Sequence, residues 1–286
     1  MWRGASGRAW ASGILGYLAA VSLGCGGPLD AGLETSPEGT VREALTGSWW
    51  QPVVHTTWDW QLQTPVNVTS ANVDVYDIDM FDNDASVMAK LHSLGRKVIC
   101  YVDVGSWENY RPDAKSFPAS VLGASYGGFP DERWLDIRQI SILAPIMGAR
   151  FDQAKAKGCD AIEPDNMDGY DVTAHESSGF PLTYADQITY NTWVSTQVHN
   201  RGMGVGLKND INQTTALVTM FDFAVSEQCF QYGECQYFTI FVSSGKPVFE
   251  AEYSLATSKF CPKAIAQNIS AIKKHNSLNS YRVGCW

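Results

Sequence analysis

The chain of 286 residues is 45% hydrophobic and 12% aromatic. That is enough apolar material for one full core, and it excludes a disordered or coiled-coil protein. An excess of 30 Asp and Glu over 21 Lys and Arg, a formal charge of −9, argues against a nucleic-acid partner.

The first residues, MWRGASGRAWASGILGYLAAVSLGCGG, give a basic start at Arg3 and Arg8, an apolar run from Ile14 to Leu23, and small residues before Cys25. This layout predicts an export signal over residues 1–24. Its apolar run falls short of the roughly 20 residues of an ordinary membrane span. The stretch Val21-Ser22-Leu23-Gly24-Cys25 is similar to a lipoprotein cleavage box, with Ser22 where an aliphatic residue is usual. The mature protein is therefore expected to be exported, either tethered through an acylated Cys25 or secreted after cleavage nearby. Residues 25–46, rich in Gly, Pro, Ser and Glu, read as a flexible linker, and residues 47–286 as one folded domain. A monomer is expected, touching membrane only through a lipidated Cys25.

Eight candidate strands follow in chain order: Val53–Trp60, Val73–Met80, Lys97–Val104, Arg133–Arg138, Cys159–Asp165, Gly204–Asn209, Asp222–Glu227 and Pro247–Tyr253. Helical spacing of apolar residues marks Ala85–Leu94, Ala144–Lys157, Tyr184–Asn200 and Lys263–Asn276, with Gly95, Gly158 or Gly202 near the stops. Strand–helix repetition over this length predicts an α/β fold, a single (β/α)8 TIM-type barrel. The connection after the third strand is irregular and aromatic (Trp107, Tyr110, Phe117, Phe129), and reads as a lid.

Export also bears on the cysteines, since six remain once Cys25 is set aside, an even number for an oxidising compartment. Cys229 with Cys235, and Cys261 with Cys285, are the expected disulfides. Cys100 and Cys159 are read as two free buried thiols, because their strand parities place them on different faces. No cysteine or histidine shows metal-ligand spacing, and no nucleotide, serine-hydrolase or zinc-protease motif is present, so no metal or cofactor is expected.

Charges collect at the C-terminal ends of the strands: Asp59, Asp77, Asp79, Asp103, Asp136, Glu163, Asp165, Asp168, Lys208, Asp210, Glu227 and Glu252. In a parallel barrel that is the active-site rim. The densest group is CDAIEPDNMDGY, Cys159–Tyr170, where alternation puts Ala161, Glu163 and Asp165 on one face. Several carboxylates, a lysine and aromatics suit glycoside hydrolysis, which needs one ionised carboxylate and one proton-donating carboxyl. Asp165, near Lys208 and Asn166, is the candidate for the first role. Glu227, after the apolar Phe223–Val225, is the candidate for the second, a partly apolar surround being expected to keep its proton.

Seven ordered motifs then carry a resemblance: VDVYDIDMFD (Val73–Asp82), KVICYVDVGSWENYRPD (Lys97–Asp113), FPASVLG (Phe117–Gly123), ERWLDIRQ (Glu132–Gln139), DAIEPDNMDGY (Asp160–Tyr170), GLKND (Gly206–Asp210) and SEQCFQYGEC (Ser226–Cys235). Together they resemble glycoside hydrolase family 114, the endo-α-1,4-polygalactosaminidases, over essentially Trp49 to Tyr253. The resemblance implies a barrel cleaving α-1,4-linked galactosamine polymers internally and with retention, with Asp165 and Glu227 as catalytic acids. Which of Glu163, Asp165 and Asp168 is the nucleophile stays open at this stage. Substrate contacts are expected from Asp77, Tyr101, Asp103, Trp107, Glu163, Asn166, Asp168, Lys208, Glu252 and Tyr253, and the surplus acids would attract cationic sugar units. An exo-acting α-galactosidase-like enzyme and a non-catalytic carbohydrate-binding protein are the alternatives.

Overall fold

A computed structural model describes residues 48–171 and 176–286. The export signal, the linker and Cys25 lie outside the described residues. The elements run β1 (Trp58–Gln61), β2 (Val75–Asp79), α1 (Ala85–Ser93), β3 (Lys97–Asp103), β4 (Ser106–Glu108), β5 (Leu122–Tyr126), β6 (Phe129–Leu135), α2 (Ile140–Lys157) and β7 (Ala161–Asp165). They continue as α3 (Tyr184–His199), β8 (Gly204–Lys208), α4 (Thr214–Leu217), β9 (Phe223–Glu227), α5 (Cys229–Tyr232), α6 (Thr239–Ser243), β10 (Val248–Glu252), α7 (Thr257–Gln267), β11 (Ser270–Lys273) and β12 (Val283–Gly284).

Eight parallel strands form one curled sheet in the order β1-β2-β3-β7-β8-β9-β10-β11, with β12 antiparallel at its end. Its two ends meet through side chains: Trp58 Nε1 donates to the Ser270 carbonyl at 2.7 Å and Ser270 Oγ to the Thr56 carbonyl at 2.9 Å. The enclosed interior is an apolar cluster of Trp58, Trp60, Val75, Ile99, Ala161, Phe223, Val225, Phe249, Ala251 and Ile272, contributed from seven strands. Gly206 makes room for Phe223, since a Cβ there would lie 2.4 Å from its ring. A separate, larger core lies outside the strands, beneath the helices. This is the α/β barrel that the strand–helix repeat predicts, and truncating a ring such as Phe223 to alanine would cost about 3–5 kcal/mol.

Two elements differ from their expected places. The segment Arg133–Arg138 is no barrel strand: residues up to Leu135 belong to β6, the middle of a small antiparallel sheet, β4-β6-β5, that forms the lid after β3. The missing barrel strand is β11, inside the stretch expected to be helical. Ile265, Ile269 and Ile272 sit at helical spacing, which hides the change. The helix α7 ends where Asn268 turns left-handed (φ 55°), after which Ile269 and Ala271 face the outer core and Ile272 the barrel interior.

The disulfides Cys229–Cys235 and Cys261–Cys285 are present. Cys100 and Cys159 are also bonded, with Cα atoms 5.9 Å apart, which corrects the expectation of free thiols. Cys159 lies in the loop before β7 begins at Ala161, so strand parity does not extend to it, and both cysteines belong to the outer core.

Candidate active site

Strand alternation decides which rim charges face inward. Ala161, Phe223 and Val225 fill the barrel, so Glu163, Asp165 and Glu227, at the following alternate positions of each strand, come into its mouth. Asp77 and Tyr101 follow Val75 and Ile99 in the same way. Beyond the ends of β7, β8 and β9 the backbone turns at once into the left-handed region, at Asn166 (φ 60°), Asn209 (φ 49°) and Gln228 (φ 58°). Such conformations are uncommon outside glycine, and here each follows a candidate site residue, Asp165, Lys208 or Glu227, the last of its strand.

Lys208 organises the site. Fully buried, its ammonium lies 3.0 Å from Glu163 Oε1, 3.0 Å from Asp165 Oδ1 and 3.3 Å from Glu227 Oε2, with the Trp60 ring centroid 4.7 Å below. One cation thus touches both candidate catalytic acids. Each of these takes a phenol on its other oxygen: Tyr101 donates to Asp165 Oδ2 at 3.0 Å and Tyr253 to Glu227 Oε1 at 2.5 Å. Burial and then the adjacent carboxylates push both phenols well above their ordinary pKa, so they remain donors. Burial opposes ionisation of Asp165, but the Lys208 charge and hydrogen bond, the Asn166 backbone and the Tyr101 hydroxyl outweigh it and hold its pKa below the usual carboxylate value. The surround of Glu227 is a lysine and a phenol, not the apolar one expected.

Behind these lies a second carboxyl pair. Burial, then the charge of Glu163 and a hydrogen bond with it, raise the pKa of Asp77 well above the carboxylate range. Burial raises Glu163 too, against the pull of Lys208. Among the described residues no other donor reaches the Asp77 oxygens or Glu163 Oε2, the pattern of two carboxyls holding one proton between them.

Other expected contacts have different employment. Asp103 is buried and accepts from the backbones of Gly105 and Ser106, from Ser106 Oγ and from Asn166 Nδ2 at 2.7 Å. Asn166 is thus a brace for Asp103. Trp107 donates Nε1 to the Ala114 carbonyl at 2.9 Å and packs the lid onto the outer core. Asp168 is 8% exposed and its charge helps push buried Asp210 up to about 9, after the larger effect of burial. Glu252 points away from the site, because Phe249 and Ala251 take the inward face of β10. It accepts from the backbones of Phe230 and Gln231 at the start of α5.

Sequence reasoning missed three features of the site. Trp60, taken only as a strand end, is the floor under Lys208. Arg111 clamps the lid to β2 through Asp79 at 2.7 Å and Glu108 at 2.7 Å. Tyr126 of β5 stands among the site acids, whose charges, after burial, raise its pKa; it packs on Trp134 at 4.7 Å. Among the described residues no group of His, Cys, Asp and Glu is arranged to hold a metal ion.

The sequence matches the glycoside-hydrolase family GH114 over residues 39–286. A comparison with curated proteins finds no match. Among solved structures, Aspergillus fumigatus Ega3 in complex with galactosamine is similar at 39% identity and a TM-score of 0.78, over 84% of this chain and 99% of that one. The glycoside hydrolase domain of PelA from Pseudomonas aeruginosa shares the fold, with a TM-score of 0.61 at 14% identity over 80% of this chain and 96% of that one. A match across most of the chain, on a barrel whose mouth gathers acids around one lysine, makes this protein a glycoside hydrolase of family GH114.

Proposed function

We propose that the protein is an endo-acting enzyme that hydrolyses α-1,4-linked, galactosamine-containing polysaccharide with retention. The observation that carries the reading is the shared contact of Asp165 and Glu227 with Lys208. The nearest oxygens of the two acids are separated by no more than the sum of those contacts. That bound admits the roughly 5–5.5 Å between the carboxyl groups of retaining enzymes. The galactosamine bound in the 39%-identical Ega3 structure supports the choice of sugar.

In this reading the ionised Asp165 attacks the anomeric carbon while Glu227 gives its proton to the departing glycosidic oxygen, leaving a glycosyl ester on Asp165. Esterification removes the charge of Asp165. Lys208 keeps its contacts with Glu163 and Glu227. Glu227 takes a proton from water, the resulting oxygen attacks the anomeric carbon, and Asp165 departs as a carboxylate. Tyr101 and Tyr253 hold the two acids in place through both halves.

Three disulfides in one domain suit an oxidising compartment outside the cytoplasm. We place the enzyme there as a monomer, with a lipid tether at Cys25 or free secretion as the two forms of export. The test is mass spectrometry of products from partly deacetylated α-1,4-galactosaminogalactan, comparing wild type with Asp165→Asn and Glu227→Gln. Oligomers from the wild type alone support the reading. Monosaccharide would point to an exo-acting enzyme, and intact polymer would overturn the substrate.

A further inference from the structure

A polycationic substrate needs carboxylate oxygens that are open to the cleft, and most acids of the mouth are already committed. Asp77 and Glu163 hold one another under Lys208, Asp103 is saturated by the lid loop, and Glu252 faces the helices. Glu132 is different. It sits on β6, directly opposite Glu108 of β4, in a strand paired on both sides and therefore held in place. Ser106 Oγ donates to its Oε2 at 3.1 Å. Its Oε1 receives no hydrogen bond from any described residue, and the side chain is only half-buried. The same Ser106 hydroxyl also contacts Asp103, which pairs with Asp165 across β3 and β7, so Glu132 stands on the lid side of Asp165, close enough to feel its charge.

We infer that Glu132 is a specificity-determining residue that receives, through Oε1, the C2 ammonium of the sugar whose anomeric carbon faces Asp165. The inference rests on the substrate reading above. C2 is bonded to the carbon that Asp165 attacks, so a carboxylate beside Asp165 on the lid side is within reach of a C2 substituent. The chemistry also calls for one there. Positive charge develops at C1 in the transition state, next to an ammonium that would oppose it, and an anion paired with the ammonium offsets that repulsion. An N-acetyl group in the same place brings no charge to the carboxylate and leaves it partly desolvated without a cation.

The groups around Glu132 tune this contact. Burial, then the charges of Glu108 on β4 and Asp165 on β7, push it up to about 7, while the Ser106 hydroxyl and Arg111 pull the other way. Tyr101 and Asp103 on β3 complete its charged and titratable surroundings. Near neutral pH the empty site therefore holds a proton part of the time, and an arriving ammonium displaces it.

A retaining endo-enzyme leaves the sugar bonded to the nucleophile as the new reducing end, so product ends report this contact directly. On partly acetylated α-1,4-galactosaminogalactan, wild-type products should end in galactosamine. Glu132→Gln should raise the share ending in N-acetylgalactosamine at least about fivefold, as loss of a charged hydrogen bond predicts. An unchanged product ratio would overturn the assignment. If Glu132→Gln does not turn over, tryptophan-fluorescence titration of the folded variant with galactosamine and with galactose decides. A lost preference for galactosamine supports the role, whereas an equal loss for both sugars removes it. Failure of the wild type to cut the polymer would sink the substrate reading itself, whereas wild-type cleavage with unaltered ends from Glu132→Gln would sink the Glu132 assignment alone.

Discussion

Strands β7 and β10 spell nearly the same pattern, AIEPD and VFEAE, and the barrel uses them in opposite senses. In β7 the small Ala161 takes the interior, and Glu163 and Asp165 follow it into the mouth. In β10 the interior is taken by Phe249 and Ala251, so Glu250 and Glu252 face the helices. There they accept from the backbones of Cys229, Phe230 and Gln231 at the start of α5. Both strands carry a pair of acids two residues apart. One pair opens on the barrel mouth and its lysine, and the other holds the start of a helix.

The sharpest division is in catalysis. Asp165→Asn and Glu227→Gln should each lower kcat on galactosamine oligomers by about 10³-fold or more, with circular dichroism unchanged. Glu252→Gln should leave kcat within about twofold. A loss of activity in Glu252→Gln comparable to that in Asp165→Asn would mean that β10 also faces the substrate, and the comparison would fail.

Next in size is Lys208→Met. Three acids would lose their shared cation, with an expected fall in kcat of about 10²–10³-fold. Stability should fall as well, by about 3–5 kcal/mol, because an unpaired cluster of carboxylates is left in the mouth. Urea unfolding alongside kinetics separates the two effects. Unchanged kcat with lowered stability would reduce Lys208 to a packing role.

How much of this was legible depends on the strand. In β7 the polar residues Glu163 and Asp165 alternate with Ile162 and Pro164, and parity follows from the spelling. In β10 every residue is buried, and strands buried on both faces lose the alternation that marks an inside, so Glu252 was assigned to the cleft. β11 was masked by isoleucines at helical spacing. Glu132 was overlooked because a barrel strand was expected to start at Arg133, which put it in a loop; the lid sheet instead sets it opposite Glu108 and against Ser106. The left-handed turns were partly readable: Asn166 and Asn209 each follow a functional residue, and Asn tolerates that backbone.

The Cys100–Cys159 bond tests the outer face by itself. Replacing both cysteines with alanine should cost about 2–5 kcal/mol, seen as a lower urea midpoint. Activity at 25 °C should stay within about twofold, because both cysteines pack in the outer core, beneath the helices and away from the mouth.

The smallest effect separates the two acid pairs by their protons. Burial raises the pKa of Glu250 well above the ordinary value, and the charge of Glu252 adds to it; burial raises Glu252 as well. Glu250 Oε2 and Glu252 Oε2 are buried without donors, so a proton held between them is the arrangement that satisfies both. Between about pH 4.3, where an unfolded glutamate titrates, and the raised folded values, the folded state binds more protons than the unfolded one. Stability therefore falls as pH rises through that window. Glu250→Gln replaces the shared proton with an amide N–H that can donate to Glu252 Oε2, while its own oxygen still accepts from Cys229 N. The variant should match wild type in stability at pH 4 and exceed it at pH 7, with unchanged kcat. Melting temperatures at the two pH values measure this, and an equal shift at both would mean that no proton is held. Asp77→Asn is the counterpart at the inward pair. There a similar gain in stability should come with altered kcat, because Glu163, its partner, touches the lysine that serves Asp165.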